Sequence, residues 1–359
     1  MIRFVLILSL FVMLFACSST PKKTTPIEIL NIELKKSLSE PSHRLNVSIA
    51  SFDTKQVEKK ISRFRSDLLF AESNYMPVVL KDTLLRSDFW GAVRVLPETD
   101  PTAELMIQVE IIHSDAVQLS LLVQVLDSRG FVWLDKNYTD SSLDHAYFPK
   151  KLGDEDPFQD LYNEIANDIN LVRKTLVEKE LNSILDMSML RYAIALSPEA
   201  FNSFLDTDAN SRLYLTSLPA RNDPMYKRVK NIRESEYRFI DIMDSQYQKF
   251  YGMMQNSYPY WREYSFELMV YNDKLKEKGS LGKRPSSGTW GAMENVYKTY
   301  KEYKLNEDEL RELGNSLSTE IEPTIAELDG HVFELTGSLA SQYKEWRALL
   351  KRIYQSETQ

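Results

Sequence analysis

An alternation of apolar and polar residues constrains the fold of this chain more than any other feature. Ile107, Val109 and Ile111 alternate with polar neighbours, and after a turn at 114–116 the odd-numbered residues of 117–125 are again all apolar. A period of two places alternate side chains on one face of a β-strand. Asp127 to Gly130 is typical of a second turn, and Phe131 to Thr139 predicts a third strand. We therefore predict an antiparallel meander whose apolar face needs a cover.

The segment before the meander predicts further strands and the helices that cover them. LNVSIASF at 45–52 alternates as a strand does, and Gln56 to Glu72 has apolar residues at the spacing of an amphipathic helix. Pro77 suits the first turn of another helix, and residues 92–96 have strand character. The chain therefore predicts an α+β domain over 45–150, with one antiparallel or mixed sheet covered by helices.

The second half of the chain predicts an all-α helical domain over 151–359. Asn222-Asp223-Pro224 caps the longest predicted helix, and Pro259 interrupts it. Later helices are predicted at 292–303, 306–319, 323–336 and 338–355. Residues 279–291 (GSLGKRPSSGTWG) predict a flexible linker.

The amino terminus predicts export. Arg3 precedes an apolar run over 4–16 that is too short to span a bilayer and has the form of a signal peptide. Leu14-Phe15-Ala16-Cys17 resembles the lipobox of bacterial lipoproteins, in which the cysteine is acylated. The resemblance implies a signal peptide over 1–16, palmitate or a similar acyl chain on Cys17, and a lipidated tether over 17–44.

The residues around the lipobox and the composition narrow the location and the partners. Ser18 and Ser19 follow Cys17, which by resemblance to Gram-negative sorting rules implies the outer membrane, with the protein facing the periplasm. Cys17 is the only cysteine, so the mature chain has no thiol for a disulfide or a metal. A formal net charge of −8 argues against nucleic acid as a partner. The expected partners are the membrane through the lipid and another envelope protein, with peptidoglycan as a further candidate.

Three segments of the predicted α+β domain carry a second resemblance. They are Phe89-Trp90-Gly91-Ala92-Val93-Arg94-Val95, Ala103-Glu104-Leu105, and 125–133 (VLDSRGFVW). They resemble a group of periplasmic accessory domains that includes the amino-terminal domain of TolB, the curli-secretion lipoprotein, lipoprotein activators of penicillin-binding proteins, and the flagellar lipoprotein FlgO. The resemblance covers residues 45–140 and implies a fold without catalytic residues.

Candidate catalytic chemistry is sparse. His43, His113, His145 and His331 are scattered without metal-ligand spacing, so neither a metal nor a cofactor is predicted. A glycan-acting enzyme needs only one or two carboxylates in a cleft. An enzyme of this kind stays a possible alternative because acidic and aromatic residues lie close together in the second half of the sequence. They are Trp261, Glu263, Tyr264, Glu267 and Asp273.

Aromatic density is the clearest functional signal. Sixteen aromatic residues lie between Tyr226 and Tyr303. Tyr and Trp combine a large apolar body with a polar tip, which suits a protein interface or glycan stacking as well as a helical core. The predicted contact surface consists of Tyr258, Tyr260, Trp261, Tyr264, Tyr297, Tyr300 and Tyr303.

These features together predict a non-enzymatic outer-membrane lipoprotein of the cell envelope. It is expected to act as an accessory or assembly factor for an envelope machine through protein–protein contacts. Two alternatives stay open: a peptidoglycan- or glycan-acting enzyme with a carboxylate site, and a ligand-binding transport auxiliary lipoprotein.

Overall fold

A five-stranded mixed sheet organises the first half of the chain. The computed structural model describes residues 32–37, 43–58, 63–115, 117–141, 156–209, 212–255, 257–280, 290–319, 321–328 and 330–358. The strands are β1 (Val47–Ala50), β2 (Val93–Leu96), β3 (Leu105–Ser114), β4 (Gln118–Asp127) and β5 (Val132–Ser141), in the order β2-β1-β3-β4-β5. β1 pairs in parallel with β2 and β3, whereas β3, β4 and β5 are antiparallel. The mixed sheet and its meander confirm the sequence prediction.

A long helix connects the parallel strands and tolerates an internal proline. The connection from β1 to β2 contains α1 (Lys55–Glu58) and α2 (Arg63–Arg86). The prediction that Pro77 begins a new helix is wrong, because Pro77 lies inside α2. Proline lacks the N–H that would bond to the carbonyl four residues earlier. The backbone N–H of Phe52 donates to that Ser73 carbonyl at 2.9 Å, so the loop after β1 satisfies the acceptor that the helix leaves open.

The apolar face of the sheet packs against α2 and against α3 (Gln159–Thr175), which follows the meander in sequence. The indole N–H of Trp90 donates to Asn170 of α3 at 2.9 Å, and the Tyr138 hydroxyl of β5 donates to Asp168 at 2.8 Å. The sheet residues buried in this core include Ile107, Val109, Ile111, Leu121, Val123 and Val125. One covering helix therefore comes from each half of the chain.

The second half is mainly helical. It contains α4 (Glu178–Leu196), α5 (Pro198–Phe201), α6 (Pro224–Met254), α7 (Tyr258–Ser280), α8 (Trp290–Thr319) and α9 (Leu339–Thr358). The Asp223 carboxylate accepts from the N–H groups of Met225 at 2.8 Å and Tyr226 at 3.0 Å, which confirms the predicted cap of α6. The fold is therefore the predicted α+β region followed by a helical region.

Two small hairpins interrupt the helical region. β6 (Leu205–Thr207) pairs with β7 (Leu213–Leu215), and β8 (Thr324–Leu328) pairs with β9 (His331–Leu335). The predicted helix at 323–336 is therefore wrong. Burial alternates along β8, as it does in a half-buried strand, and Gly330 supplies a φ of 78° at the turn.

Helix α6 lies along the outer edge of β2. The Asp244 carboxylate of α6 accepts from the backbone N–H of Val95 at 2.8 Å. The Arg94 side chain donates to Asp241, one turn earlier in α6, at 2.6 Å. The helical region therefore contacts the sheet at its edge as well as at its face.

Several predicted features lie outside the described residues. They are the signal peptide and Cys17, the tether up to residue 31, the boundary near 150, and the linker positions 281–289. Across the ranges that the structure describes, no helix is long and apolar enough to cross a membrane.

Candidate functional site

The predicted contact surface divides into exposed and buried aromatic residues. Tyr297 is 71% exposed, and Tyr260 and Tyr300 are each 49% exposed. Tyr264 and Tyr303 are partly buried. Tyr258 and Trp261 are only 1% and 5% exposed, so they do not belong to a surface.

The start of α7 faces α2, which explains the burial of its aromatic residues. The ring of Tyr258 lies 4.5 Å from the ring of Tyr75 in α2, and its hydroxyl donates to Glu72 at 2.8 Å. Trp261 stacks on Tyr303 of α8 at 6.3 Å. These residues hold α7 and α8 to the body of the protein and do not form the surface that the sequence predicted.

Helices α7 and α8 form an antiparallel pair that presents the exposed tyrosines. Ser257, just before α7, donates to Glu309 at 2.6 Å, and Thr299 donates to Glu267 at 3.1 Å. Later positions of α7 therefore pair with earlier positions of α8, as in antiparallel helices. On α8, the exposed Tyr297 and Tyr300 lie within one turn of each other. We call Tyr260, Tyr297 and Tyr300 the tyrosine surface.

Carboxylates surround the partly buried tyrosine of this helix pair. Burial raises the pKa of the Tyr264 hydroxyl, and the charges of Glu302, Glu263 and Glu267 raise it further. Burial also raises the pKa of Glu263, with a contribution from Glu267. Glu267 itself is exposed, which differs from the desolvated setting of a catalytic acid. The side chain of the third candidate, Asp273, lies outside the described part of the chain.

Metal-ligating side chains do not converge in the described ranges. There, no three His, Cys, Asp or Glu side chains are placed to hold a metal ion. His113 instead pairs with Asp115 at 2.7 Å, and His43 lies 3.6 Å from Glu178. His145 is outside the described residues.

A buried ionic cluster between α2 and α7 was not predicted. The guanidinium of Arg262 is fully buried and donates to Glu72 at 2.7 Å, to the Tyr258 hydroxyl at 2.7 Å and to Ser114 at 2.9 Å. Burial raises the pKa of nearby Asp156, while the charge of Arg262 opposes that rise. Arg262 therefore pairs directly with the buried Glu72 and acts on the half-buried Asp156 through its charge.

A second buried ionic cluster joins α6, α9 and the loop after β2. Arg233 donates to Glu236 at 2.7 Å and to the Thr102 hydroxyl at 2.9 Å, and lies 3.6 Å from Asp100. Arg347 of α9 lies 3.2 Å from Glu236 and 3.5 Å from Asp100. Burial alone would raise the pKa of Asp100, yet Arg233 and Arg347 hold it below its usual value. The two positive and two negative charges of this cluster balance. This favours a structural role, because a buried charge without a partner is strongly destabilising.

An open groove of about 820 Å³ lies at the carboxyl ends of β1 and β2. Residues 51–55 and 97–99 line one side, and the start of α9 at 338–340 lines another. Its floor includes polar side chains from the outer face of the meander: Gln108, Glu110, Gln124 and Asp135. Ligands of open sheets commonly bind at the carboxyl ends of parallel strands. The strand pattern of the sequence could have indicated this position, but it could not show the depth of the groove.

Polar groups at the end of the groove are already ordered. The Ser51 hydroxyl donates to Asn74 at 2.9 Å and lies 3.0 Å from the Tyr247 hydroxyl of α6. Asp53 pairs with Lys55 at 2.8 Å, and Glu98 lies 3.3 Å from Lys344. The groove therefore has fixed hydrogen-bonding groups beside an apolar lining that includes Phe70.

The chain shows little similarity to known proteins in sequence or structure comparisons. No family model matches the chain, and no curated protein sequence matches it. Among solved structures, the chain is similar to protein XCC0632 from Xanthomonas campestris, which is assigned to the family DUF330. The two are 13% identical, the match covers 42% of this chain and 95% of the other, and the TM-score is 0.23. A TM-score this low supports no argument about fold or function.

Proposed function

We propose that this protein is a non-enzymatic lipoprotein, anchored in the outer membrane through Cys17 and facing the periplasm. It acts as an accessory or assembly factor for an envelope machine through protein–protein contacts. The tyrosine surface is the observation that supports this proposal most directly, because Tyr297 and Tyr300 expose large aromatic area on one helix.

The construction of the helix pair favours binding over simple solvent exposure. Tyrosine offers a large contact area with few rotatable bonds, so it loses little conformational entropy on binding. Tyr303 stacks on Trp261 and donates to Glu307 at 2.9 Å, which fixes the side of α8 that faces the body. Tyr297 and Tyr300 therefore project from a supported helix, as interface anchors commonly do.

The anchor is tested by replacing the lipidated cysteine. Cys17→Ala is expected to leave the precursor unacylated and to abolish stable association with the outer membrane. Ser18→Ala, which keeps the lipobox residues, is the matched control and is expected to remain in the membrane fraction. Unchanged membrane fractionation of Cys17→Ala would contradict the anchor.

The contact surface is tested by Tyr297→Ala/Tyr300→Ala, followed by crosslinking in intact cells and identification of partners. Tyr303 stays unchanged because it packs on Trp261. Partner capture is expected to fall tenfold or more, since a hot-spot residue contributes roughly 2 kcal/mol. Tyr214→Ala is a matched control, because Tyr214 is similarly exposed (46%) but lies on β7.

The enzymatic alternative predicts a different result in the same assay. If Glu263 were a catalytic carboxylate, Glu263→Gln would lower the reaction rate by several orders of magnitude while partner capture remained intact. If the protein acts by contact alone, Glu263→Gln has little effect on function or on partner capture. Loss of function in a well-folded Glu263→Gln variant would therefore refute the proposal.

The groove supports a second candidate function, that of a ligand-binding transport auxiliary lipoprotein. Its volume of about 820 Å³ is within the range that small-molecule sites occupy. Native mass spectrometry of the protein purified from membranes would reveal a retained small molecule. Gln124→Trp, which fills the floor of the groove, should then displace that molecule and leave the tyrosine surface unchanged.

A further inference from the structure

Residues 32–37, which we call the strap, lie along α3 without regular secondary structure. Side chains of α3 bind the backbone of the strap at Ile32, Glu33 and Lys35. The Asp160 carboxylate accepts from the N–H of Ile32 at 3.2 Å, and the Asn163 amide donates to the carbonyl of Ile32 at 2.8 Å. The Asn167 amide accepts from the N–H of Lys35 at 2.8 Å and donates to the carbonyl of Glu33 at 2.9 Å.

These four contacts recognise main-chain atoms and not strap side chains. Asp160, Asn163 and Asn167 are spaced by three and four residues, so they form a ladder on one face of α3. The ladder spans about 10 Å of helix, and the three residue steps from Ile32 to Lys35 span about 10 Å when extended. The geometry therefore fits an extended backbone of almost any sequence.

The strap is held far less firmly than the chain that follows it. Glu33, Lys35 and Lys36 are exposed, and Leu34 is the strap side chain packed against the hydrophobic core. By contrast, Asn46 donates to the largely buried carboxylate of Glu104 through both its backbone N–H (2.6 Å) and its side chain (2.9 Å). One further bond, from the N–H of Ser37 to the carbonyl of Ser87 at 2.9 Å, holds the end of the strap, and the chain is firmly fixed from His43 onward, where the His43 carbonyl accepts from Arg173.

We propose that Asp160, Asn163 and Asn167 form a binding site for extended polypeptide backbone that holds the strap reversibly. Ordering a six-residue segment costs backbone entropy of the same order as the net return of its few hydrogen bonds. Such segments open locally while the rest of the fold stays intact.

Release of the strap lengthens the segment between the lipid anchor and the folded body. This consequence rests on the proposed lipid anchor at Cys17. With the strap bound, the tether runs from Cys17 to Ile32 and reaches at most about 50 Å. With the strap released, it runs to His43 and reaches at most about 90 Å. Binding and release at α3 therefore change the greatest length that the tether can reach.

Hydrogen exchange on the full mature chain carrying Cys17→Ser tests the site without the anchor. The Lys35 amide is expected to exchange about 10- to 1000-fold more slowly than an unstructured amide, yet far faster than the Val109 amide in the sheet. Asn167→Ala is expected to reduce the protection at Ile32 and Lys35 to a few-fold. The exposed Asn137→Ala on β5 is the matched control and should change neither amide.

A second variant removes the contact from the strap side. Lys35→Pro deletes the donated N–H without altering α3, and it should lower the protection of the Ile32 amide while Val109 keeps its own. If Lys35 exchanges as slowly as Val109 in the unsubstituted protein, the strap is a permanent part of the fold and the proposal fails. It also fails if Lys35 shows no protection, or if Asn167→Ala leaves the protection unchanged. Failure of the anchor would appear separately, in the fractionation of Cys17→Ala.

Discussion

Replacing Arg262 with methionine tests how the buried cluster between α2 and α7 is held together. Arg262 donates to Glu72 at 2.7 Å in a site from which water is excluded. Methionine keeps an apolar stem but leaves Glu72 with Tyr258 and Ser114 as its donors. Because removal of one partner leaves a buried uncompensated charge, Arg262→Met should lower the free energy of unfolding by about 3–5 kcal/mol at neutral pH.

The pH dependence of that loss identifies its electrostatic origin. Burial raises the pKa of Asp156 and the charge of Arg262 opposes that rise, so without Arg262 the folded-state pKa of Asp156 should rise further above its unfolded value. Proton uptake then stabilises the folded variant fully below the unfolded pKa, and this contribution is lost as pH rises through the folded pKa. The loss should therefore be smaller at pH 5 than at pH 7.5.

Urea unfolding followed by circular dichroism at both pH values measures this effect. Arg352→Met, at an exposed position of α9, is the matched control and should change stability by less than about 0.5 kcal/mol. A loss below about 1 kcal/mol for Arg262→Met, or an equal loss at both pH values, would refute the reasoning.

Two further predictions concern a tight backbone contact and a buried carboxyl. A Cβ on Gly91 would lie 2.8 Å from Asn46 Oδ1, so Gly91→Ala should lower the stability measured by thermal unfolding by about 1–3 kcal/mol. Gly252 lies in a helix and its Cβ would meet open space, so Gly252→Ala should raise stability by up to about 1 kcal/mol. Equal effects of the two variants would contradict the close contact at Gly91. Burial raises the pKa of Asp140 to about 6, aided by the charges of nearby acids. Proton binding by Asp140 stabilises the folded state fully below pH 3.8, and this contribution is lost as pH rises through about 6. At pH 7.5 the unsubstituted protein therefore carries a buried charge that Asp140→Asn removes, so the variant should be the more stable of the two. Because Asp140 is partly exposed, the gain in the free energy of unfolding should be only about 1 kcal/mol. Urea unfolding should show that this gain vanishes below pH 4.

Local periodicity predicted the sheet well because each meander strand buries one face. Ile107, Val109 and Ile111 alternate in sequence and are buried in the structure, and β4 pairs with both neighbours as expected. The same reasoning failed at β8–β9, where Ile325 and Val332 are exposed although they are apolar. Apolar residues on both faces of a short hairpin imitate the spacing of a helix, so periodicity alone does not separate the two.

The candidate site was less predictable, because its features depend on distant contacts. Tyr258 and Tyr297 are the same residue type in similar helical sequence, yet one faces α2 and the other faces solvent. The pairing of Arg262 with Glu72 joins residues 190 positions apart. Neither the direction of a helix face nor such a pairing can be read from local spacing. Aromatic density indicated a region of the chain, and the fold determines which of its residues are accessible.

The contact between Asp244 and the edge of β2 has a consequence for how copies of this protein behave when crowded. An outer strand with unoccupied N–H groups is a template on which another chain can add a strand, and this is a common start of aggregation. Here the N–H of Val95 is taken by a carboxylate at 2.8 Å, and Asp244 also contacts Lys81 of α2. An incoming strand would have to displace that carboxylate and leave the ammonium of Lys81 without its partner. Helix α6 therefore protects this side of the sheet from strand addition by a neighbouring molecule.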